Sequence, residues 1–143
     1  MLVAVLDPGV LISAVLSKRG APSELIDELR RQSFELVVSP ELLAELERVL
    51  ARPKFSKVST EDRSAFVSLV KAVGRTEEDP APRPGLTTDP DDDYLVALAA
   101  ACDATHLVTG DQALLAGTFE GVIAITPRAF LELVRASRPA PDP

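Results

Sequence analysis

The chain has 143 residues, which is the length of a single domain, and 46% of them are hydrophobic while only 4% are aromatic. We therefore expect one core built mainly from Leu, Val, Ile and Ala. The 22 acidic and 15 basic residues give a formal net charge of −7. That charge argues against a protein that coats nucleic acid with a cationic surface, but it does not exclude an enzyme that meets phosphate groups through bound metal ions.

Two further features limit the class of protein. Cys102 is the only cysteine, so no disulfide can form within the chain, and its apolar neighbours indicate a small buried side chain. No segment contains the roughly 18 uncharged apolar residues of a membrane helix, and the first residues lack the features of a signal peptide. We expect a cytoplasmic protein without a membrane partner.

Short apolar runs alternate with segments of helical pattern along the chain. In chain order the pattern predicts a strand at residues 2–6, helices at 10–16 and 21–32, a strand at 35–38, helices at 40–52 and 60–73, a proline-rich loop at 75–90, a helix at 94–102, a strand at 105–109, a short helix at 112–115, a strand at 122–125 and a helix at 127–135. The loop has room for one short additional strand.

Apolar strands that alternate with helices are typical of a parallel sheet covered on both faces. We predict a three-layer α/β/α sandwich with a central, mainly parallel sheet of four or five strands, formed by residues 1–136. A disordered, proline-rich tail is predicted at residues 137–143. Right-handed crossovers bring the carboxyl ends of the strands to one edge of the sheet, where such folds bind ligands.

Acidic residues gather at this edge. Asp7 and Asp111 each follow an apolar strand directly; either one alone could simply cap the next helix, but two at the same edge favour a functional site. Four aspartates between residues 89 and 93 are more than capping the next helix requires. Like charges about 4 Å apart repel by roughly 4 kcal/mol at an effective dielectric near ~20, so clustered carboxylates need cations. Oxygen ligands without a Cys or His cluster indicate Mg²⁺ or Mn²⁺.

The helix at 40–52 offers two more candidates, Glu45 and Glu47, which flank its apolar arc on opposite sides. Helical periodicity does not choose between them. Glu45 could also be a surface carboxylate that pairs with Arg48, a contact worth about 0.2–0.5 kcal/mol.

Five segments follow one another in an order and spacing that is more specific than any one of them. They are the apolar strand that ends at Asp7, the VSPELLAEL sequence at 38–46, the DPDDD run at 89–93 with Ala97 and Ala99 behind it, the LVTGD sequence at 107–111, and TPR at 126–128. Together they resemble a PIN-domain protein, of the branch described as toxin components of toxin–antitoxin systems. The resemblance covers residues 2–135.

The resemblance implies a metal-dependent endoribonuclease that leaves 5′-phosphate and 3′-hydroxyl ends. The acidic positions of the family fall on Asp7, Glu45, Asp92 and Asp111, with Asp93 as the alternative to Asp92. Asp7 and Asp111 would be the main ligands of Mg²⁺ or Mn²⁺, with the other two binding directly or through water, and Thr109 would support them through its hydroxyl. The partners implied are an RNA substrate, an antitoxin protein and a second copy of the chain.

A basic stretch leaves the helix at 40–52 and could steer an RNA backbone towards the metal; it comprises Arg48, Arg52, Lys54 and Lys57. An ordinary solvated face explains this stretch equally well. His106 opens a strand and is expected to be structural, because the chemistry needs no catalytic histidine.

Two departures from the family pattern concern the surroundings of the acids. Pro8 and Gly9 stand where a polar triplet is usual after the first aspartate, and Ala113 replaces a frequent second acid after Asp111. We expect weakened metal binding, because loss of residues that support metal ligands can cost roughly 10–100-fold.

The main alternative is therefore a catalytically weakened PIN-fold module that binds RNA or a protein partner without cleavage. A phosphatase of the haloacid-dehalogenase type is disfavoured, because Gly9 stands where that family has a second aspartate. A receiver domain is disfavoured because no lysine follows the later strands.

Overall fold

The structure is a computed structural model of the chain and describes residues 1–138. The described residues contain five strands: β1 (Val3–Leu6), β2 (Glu35–Val38), β3 (Arg75–Thr76), β4 (His106–Val108) and β5 (Ile123–Ile125). They also contain seven α-helices: α1 (Pro8–Leu16), α2 (Ala21–Arg30), α3 (Pro40–Leu50), α4 (Thr60–Val73), α5 (Asp93–Ala101), α6 (Gln112–Ala116) and α7 (Pro127–Ala136).

The strands form one sheet in the order β3-β2-β1-β4-β5, and every pairing is parallel. Three consecutive residues of β1, Ala4, Val5 and Leu6, are fully buried although neighbouring side chains of a strand point to opposite faces. The sheet is therefore covered on both faces, which confirms the predicted α/β architecture. The short strand for which the proline-rich loop had room is β3, at the edge beside β2.

The core is mainly aliphatic, as the composition predicts. Apart from Phe130, its largest fully buried side chains are all leucines. Phe130 contacts Phe34 edge to face, with ring centroids 5.2 Å apart, and lies 5.5 Å from the ring of His106. Burial lowers the pKa of His106, so the imidazole is a neutral part of the core, which agrees with the structural role expected for it.

Some details differ from the sequence prediction. Helix α1 begins at Pro8 instead of residue 10, because Asp7 caps it and a proline at the first helical position needs no hydrogen-bond acceptor. The acidic run begins as a 3₁₀ turn, Pro90–Asp92, before α5 starts. Cys102 is half-buried at the end of α5 and not fully buried.

The predicted disordered tail falls almost wholly outside the described residues, which exclude 139–143. Ser137 ends α7, and Arg138 pairs with the buried carboxylate of Glu28 on α2. Within the described part of the chain, no helix combines the length and the apolar character needed to cross a bilayer.

Gly74 permits a close approach between the end of α4 and β2. A Cβ at this position would lie 2.8 Å from the carbonyl oxygen of Val70 and 3.3 Å from both methyl groups of Val38. We predict that Gly74→Ala lowers the free energy of unfolding by about 1–3 kcal/mol, because the backbone at residue 74 must shift away from both the Val70 carbonyl of its own helix and the Val38 side chain of β2. Urea unfolding measures this. Gly110→Ala is the control, since a Cβ there meets nothing within 4 Å; equal stability of the two variants would contradict the prediction.

Candidate functional site

The side chain of Thr109 joins the ends of the two central strands. Its hydroxyl donates to Oδ2 of Asp7 at 2.7 Å and accepts the backbone N–H of Asp111 at 3.0 Å. The backbone N–H of Asp7 also donates to the carbonyl of Val108, at 2.9 Å. Thr109 is fully buried, whereas Asp111 is exposed and Asp7 is half-buried. Both aspartates therefore stand at the carboxyl edge of the sheet, at the border between core and solvent.

Both aspartates also cap helices, the role that the sequence left open for each of them. Oδ1 of Asp7 accepts the N–H of Gly9 at 2.9 Å. Oδ1 of Asp111 accepts the N–H groups of Ala113 and Leu114 at 2.8 and 3.2 Å. Oδ2 of Asp111 accepts no hydrogen bond from residues 1–138 and remains available, while both oxygens of Asp7 are engaged.

Glu45 reaches the same region from α3. Its Oε2 accepts a hydrogen bond from the hydroxyl of Tyr94 on α5. Burial and the neighbouring Glu45 carboxylate raise the pKa of Tyr94 far above its ordinary value, so the phenol stays neutral and donates. Tyr94 thus orients Glu45. Sequence reasoning missed this residue, although it is the only tyrosine and directly follows the acidic run.

The structure separates the two glutamates that periodicity could not. Glu47 is exposed and lines a pocket against α4, together with Thr60 and Arg63. Glu45 instead contacts α5. The described residues contain no salt bridge between Glu45 and Arg48, so the surface ion pair considered for Glu45 is absent there.

Asp93 holds the loop that precedes it. Its carboxylate accepts the N–H of Gly85 at 3.1 Å, the N–H of Thr87 at 2.7 Å and the hydroxyl of Thr87 at 2.7 Å. The hydrogen bond from the Thr87 hydroxyl, with those from the two amides, lowers the pKa of Asp93. The side chain is buried and satisfied within the protein. Asp93 therefore stabilises the conformation of this loop.

Asp92 faces the other acids and makes no side-chain capping hydrogen bond. Burial raises its pKa to about 6, together with the negative charges of Asp7, Asp89, Asp111 and Glu45. Three of the acids named from the sequence, Asp7, Asp111 and Glu45, thus lie close enough to Asp92 to act on it. Their role as metal ligands stays a prediction, and this arrangement favours Asp92 over Asp93 for it.

A cleft of about 420 Å³ opens between three of these acids, Asp7, Asp92 and Asp111. As the side chains stand, no group of three or more Asp, Glu, His or Cys residues among residues 1–138 is arranged to hold a metal ion. The donor set nevertheless fits a hard divalent cation, because it consists of oxygen atoms alone and a cation would stabilise the ionised form of Asp92, whose pKa is raised by burial and by the neighbouring negative charges.

Only two of the four residues in the predicted basic stretch line a common groove. Arg48 and Arg52 line a second groove of about 610 Å³, which also reaches Glu45 and Tyr94. Lys54 and Lys57 do not line this groove; the ammonium group of Lys54 lies over the ring of Phe55, 5.0 Å from its centroid.

Comparison with known proteins supports the family resemblance of the sequence. A family model described as the PIN domain matches residues 3–113. A search of curated proteins finds no match.

Three solved structures share the fold. One is VapBC2 from Rickettsia felis bound to a DNA fragment from their promoter, with a TM-score of 0.63 at 14% identity over 87% of this chain and 98% of that chain. The second is FitAB bound to an IR36 DNA fragment, with a TM-score of 0.57 at 19% identity over 87% and 94% of the two chains. The third is PAE2754 from Pyrobaculum aerophilum, with a TM-score of 0.53 at 19% identity over 95% and 91%. At these identities the likeness shows the fold alone.

The raised pKa of Asp92 predicts a pH-dependent cost of folding. Above about pH 6 the carboxylate is ionised in both the folded and the unfolded state, and the folded state bears the full cost of that charge. Below about pH 3.8 the carboxyl group is protonated in both states and the cost is absent. We predict that Asp92→Asn raises the free energy of unfolding at about pH 8, in EDTA, and that this gain disappears at about pH 4. Because the side chain is only half-buried, solvent screening limits the gain to about 1 kcal/mol.

The neighbouring substitution Asp91→Asn is the control, since it removes the same charge from an exposed side chain. Chemical unfolding of the three proteins across this pH range measures the effect. A gain that Asp91→Asn reproduces, or one that persists at low pH, would contradict the prediction.

Proposed function

The chain belongs to the PIN-domain family, and on that premise we propose that it is a metal-dependent endoribonuclease and the toxin of a toxin–antitoxin pair. PIN domains are nucleases, and they generally use divalent metal ions. The observation that carries the proposal is the convergence of four carboxylates at the carboxyl edge of the sheet, where the charges of Asp7, Asp111 and Glu45 all act on Asp92.

Each acid has a role in this proposal. Asp7 and Asp111 would be the main ligands of Mg²⁺ or Mn²⁺, and Asp92 and Glu45 would bind it directly or through water. The bound metal supplies a water of lowered pKa and polarises the phosphate. Thr109 keeps one oxygen of Asp7 in a fixed orientation, and Tyr94 does the same for Glu45. The products would carry 5′-phosphate and 3′-hydroxyl ends.

The partner is proposed from the similar structures. VapBC2 and FitAB are each bound to a DNA fragment. The net charge of −7 makes this chain poorly suited to hold DNA by itself. We therefore assign any DNA contact to an antitoxin protein that binds this chain. A homodimer is proposed on family likeness alone.

A second function has a specific observation in its favour. Both oxygens of Asp7 already accept hydrogen bonds, from the amide of Gly9 and the hydroxyl of Thr109. A metal ion would have to compete with them or share those oxygens. This supports the weakened, non-catalytic module that binds RNA or a protein partner, and the same experiment separates the two functions.

We predict that the chain cleaves RNA in Mg²⁺ or Mn²⁺ but not in EDTA, and that Asp7→Asn and Asp111→Asn each reduce the rate at least about 100-fold, because each removes a ligand. Gel analysis of labelled RNA measures cleavage. Glu61→Gln is the control, since it removes one charge from an exposed position at the start of α4.

Cleavage that survives both aspartate substitutions would rule out the proposed site. If the wild-type protein cleaves no RNA and calorimetry detects no metal binding, the non-catalytic function replaces the catalytic one.

Thr109 gives a subtler test, because it contacts Asp7 and would influence metal binding only through that residue. We predict that Thr109→Val weakens metal binding about tenfold, while Thr109→Ser, which keeps the hydroxyl, retains most of it. Calorimetric titration with Mn²⁺ measures this. Equal affinities of the Val and Ser variants would show that the hydroxyl does not position Asp7 for metal.

A further inference from the structure

The groove of about 610 Å³ begins at the carboxylate cluster and follows one face of α3. Glu45 stands at the cluster end. Arg48 is three residues further along, and Arg52 is seven residues further, just past the end of the helix. Glu45 and Arg48 share a helix face at this spacing, and Arg52 lines the same groove just after the helix. The row extends about 10 Å from Glu45. This wall therefore presents two arginines in line with the proposed site.

The opposite wall is the segment at residues 80–84, and it carries a third arginine. Pro80, Pro82 and Pro84 alternate with Ala81 and Arg83, and all five residues line the groove. Each proline fixes its own φ and favours an extended conformation for the residue before it. Arg83 is thus displayed on a backbone with little freedom to lose on binding.

Both ends of this wall are fixed to the rest of the fold. Asp79, just before it, accepts the backbone N–H of Glu41 at the start of α3, at 2.9 Å. Just after it, the N–H of Gly85 donates to the carboxylate of Asp93 on α5. The distance between Arg83 and the α3 wall is therefore set by contacts within the fold, although the segment has no regular secondary structure.

The three groove arginines also differ from others in the chain. Arg30, Arg31, Arg75, Arg128, Arg135 and Arg138 form salt bridges. Within residues 1–138, Arg48, Arg52 and Arg83 form none. Four acids line the same groove. Glu45 is engaged by Tyr94 and Asp93 by the loop amides, whereas Glu41 and Asp91 are exposed and form no salt bridge with these arginines. The guanidinium groups are consequently available to a ligand.

We propose that this arginine groove holds a single-stranded RNA segment that flanks the scissile phosphate, with Arg83 binding its phosphates from the wall opposite Arg48 and Arg52. The inference rests on the proposed function and adds a strand path and a phosphate-binding residue to it. Guanidinium groups match phosphate oxygens in geometry and charge. A helix and a fixed loop enclose the groove on two sides, which suits a single strand better than a duplex.

A protein segment is the less suitable occupant. Protein interfaces depend on large apolar or aromatic anchors that fill a deep pocket. Besides Tyr94, the apolar lining of this groove consists of small side chains, namely Val49, Ala81, Ala97 and the prolines. Its distinctive feature is a set of three arginines that form no salt bridge within residues 1–138. Four acids share the lining, but a phosphate backbone is the ligand that these guanidinium groups fit.

The test measures RNA binding separately from cleavage. Fluorescence anisotropy of a labelled single-stranded RNA, in EDTA and at several KCl concentrations, gives the affinity and its salt dependence. We expect Arg83→Ala to weaken binding about three- to fivefold and to reduce the slope of log affinity against log salt by about 0.7, the value for one lost contact to a single-strand phosphate. Arg83→Lys keeps the charge and should keep the slope.

Lys71→Ala is the matched control, because it removes an exposed cation on α4 that lies outside the groove. It should leave the affinity and the slope unchanged. If the wild-type protein binds RNA and Arg83→Ala binds it equally well, the groove inference is wrong and a protein partner becomes the better occupant. The proposed function is still tested separately, by cleavage in Mn²⁺. If the wild-type protein binds no RNA at low salt, the inference fails; if cleavage is also absent, the proposed function fails with it.

Discussion

The arrangement of this edge of the sheet depends on the buried hydroxyl of Thr109. Parallel pairing places β1 and β4 side by side, but pairing alone leaves the side chains after the strands free to turn. The hydroxyl limits that freedom at Asp7, because it donates to the Asp7 carboxylate. It also accepts the backbone N–H of Asp111, whose side chain is held by the N–H groups of Ala113 and Leu114. A buried hydroxyl that lost these partners would cost about 1–3 kcal/mol, so the fold itself favours the geometry that brings the two acids together.

The acids serve the fold and the proposed site at the same time, and the two roles compete. Helix capping stabilises the starts of α1 and α6, and it uses one oxygen of Asp7 and one of Asp111. Asp111 keeps its second oxygen available, while Asp7 gives its second oxygen to Thr109. The side chain of Asp92 caps no helix, and the negative charges of the neighbouring acids act on it. A cation would therefore meet the second oxygen of Asp111 and the repelled carboxylate of Asp92 directly, while at Asp7 it would share oxygens that already accept hydrogen bonds.

The sequence predicted the features that depend on local pattern. The ends of apolar strands located Asp7 and Asp111, because all parallel strands end at one edge of the sheet. Periodicity could not distinguish Glu45 from Glu47, since both flank the apolar arc of α3 and only the contact with Tyr94 separates them. Arg83 could not be identified from local pattern either, because its position opposite α3 depends on tertiary contacts. One joins Asp79 to Glu41, which are 38 residues apart in the sequence, and the other joins Gly85 to Asp93, which are eight residues apart.

The charge distribution explains how an acidic chain could accept RNA. A net charge of −7 repels a phosphate backbone at long range, and the carboxylate cluster repels it most strongly at the proposed site. A divalent cation would reverse the sign only within the cluster. The flanking phosphates of a strand would lie beyond that short range. The groove there carries four acids as well as Arg48, Arg52 and Arg83, so these guanidinium groups would hold the phosphates by direct contact and not through a net positive charge. Metal and arginines would then act on different parts of one strand, so that the arginines contribute to RNA binding without metal while the metal is needed for cleavage.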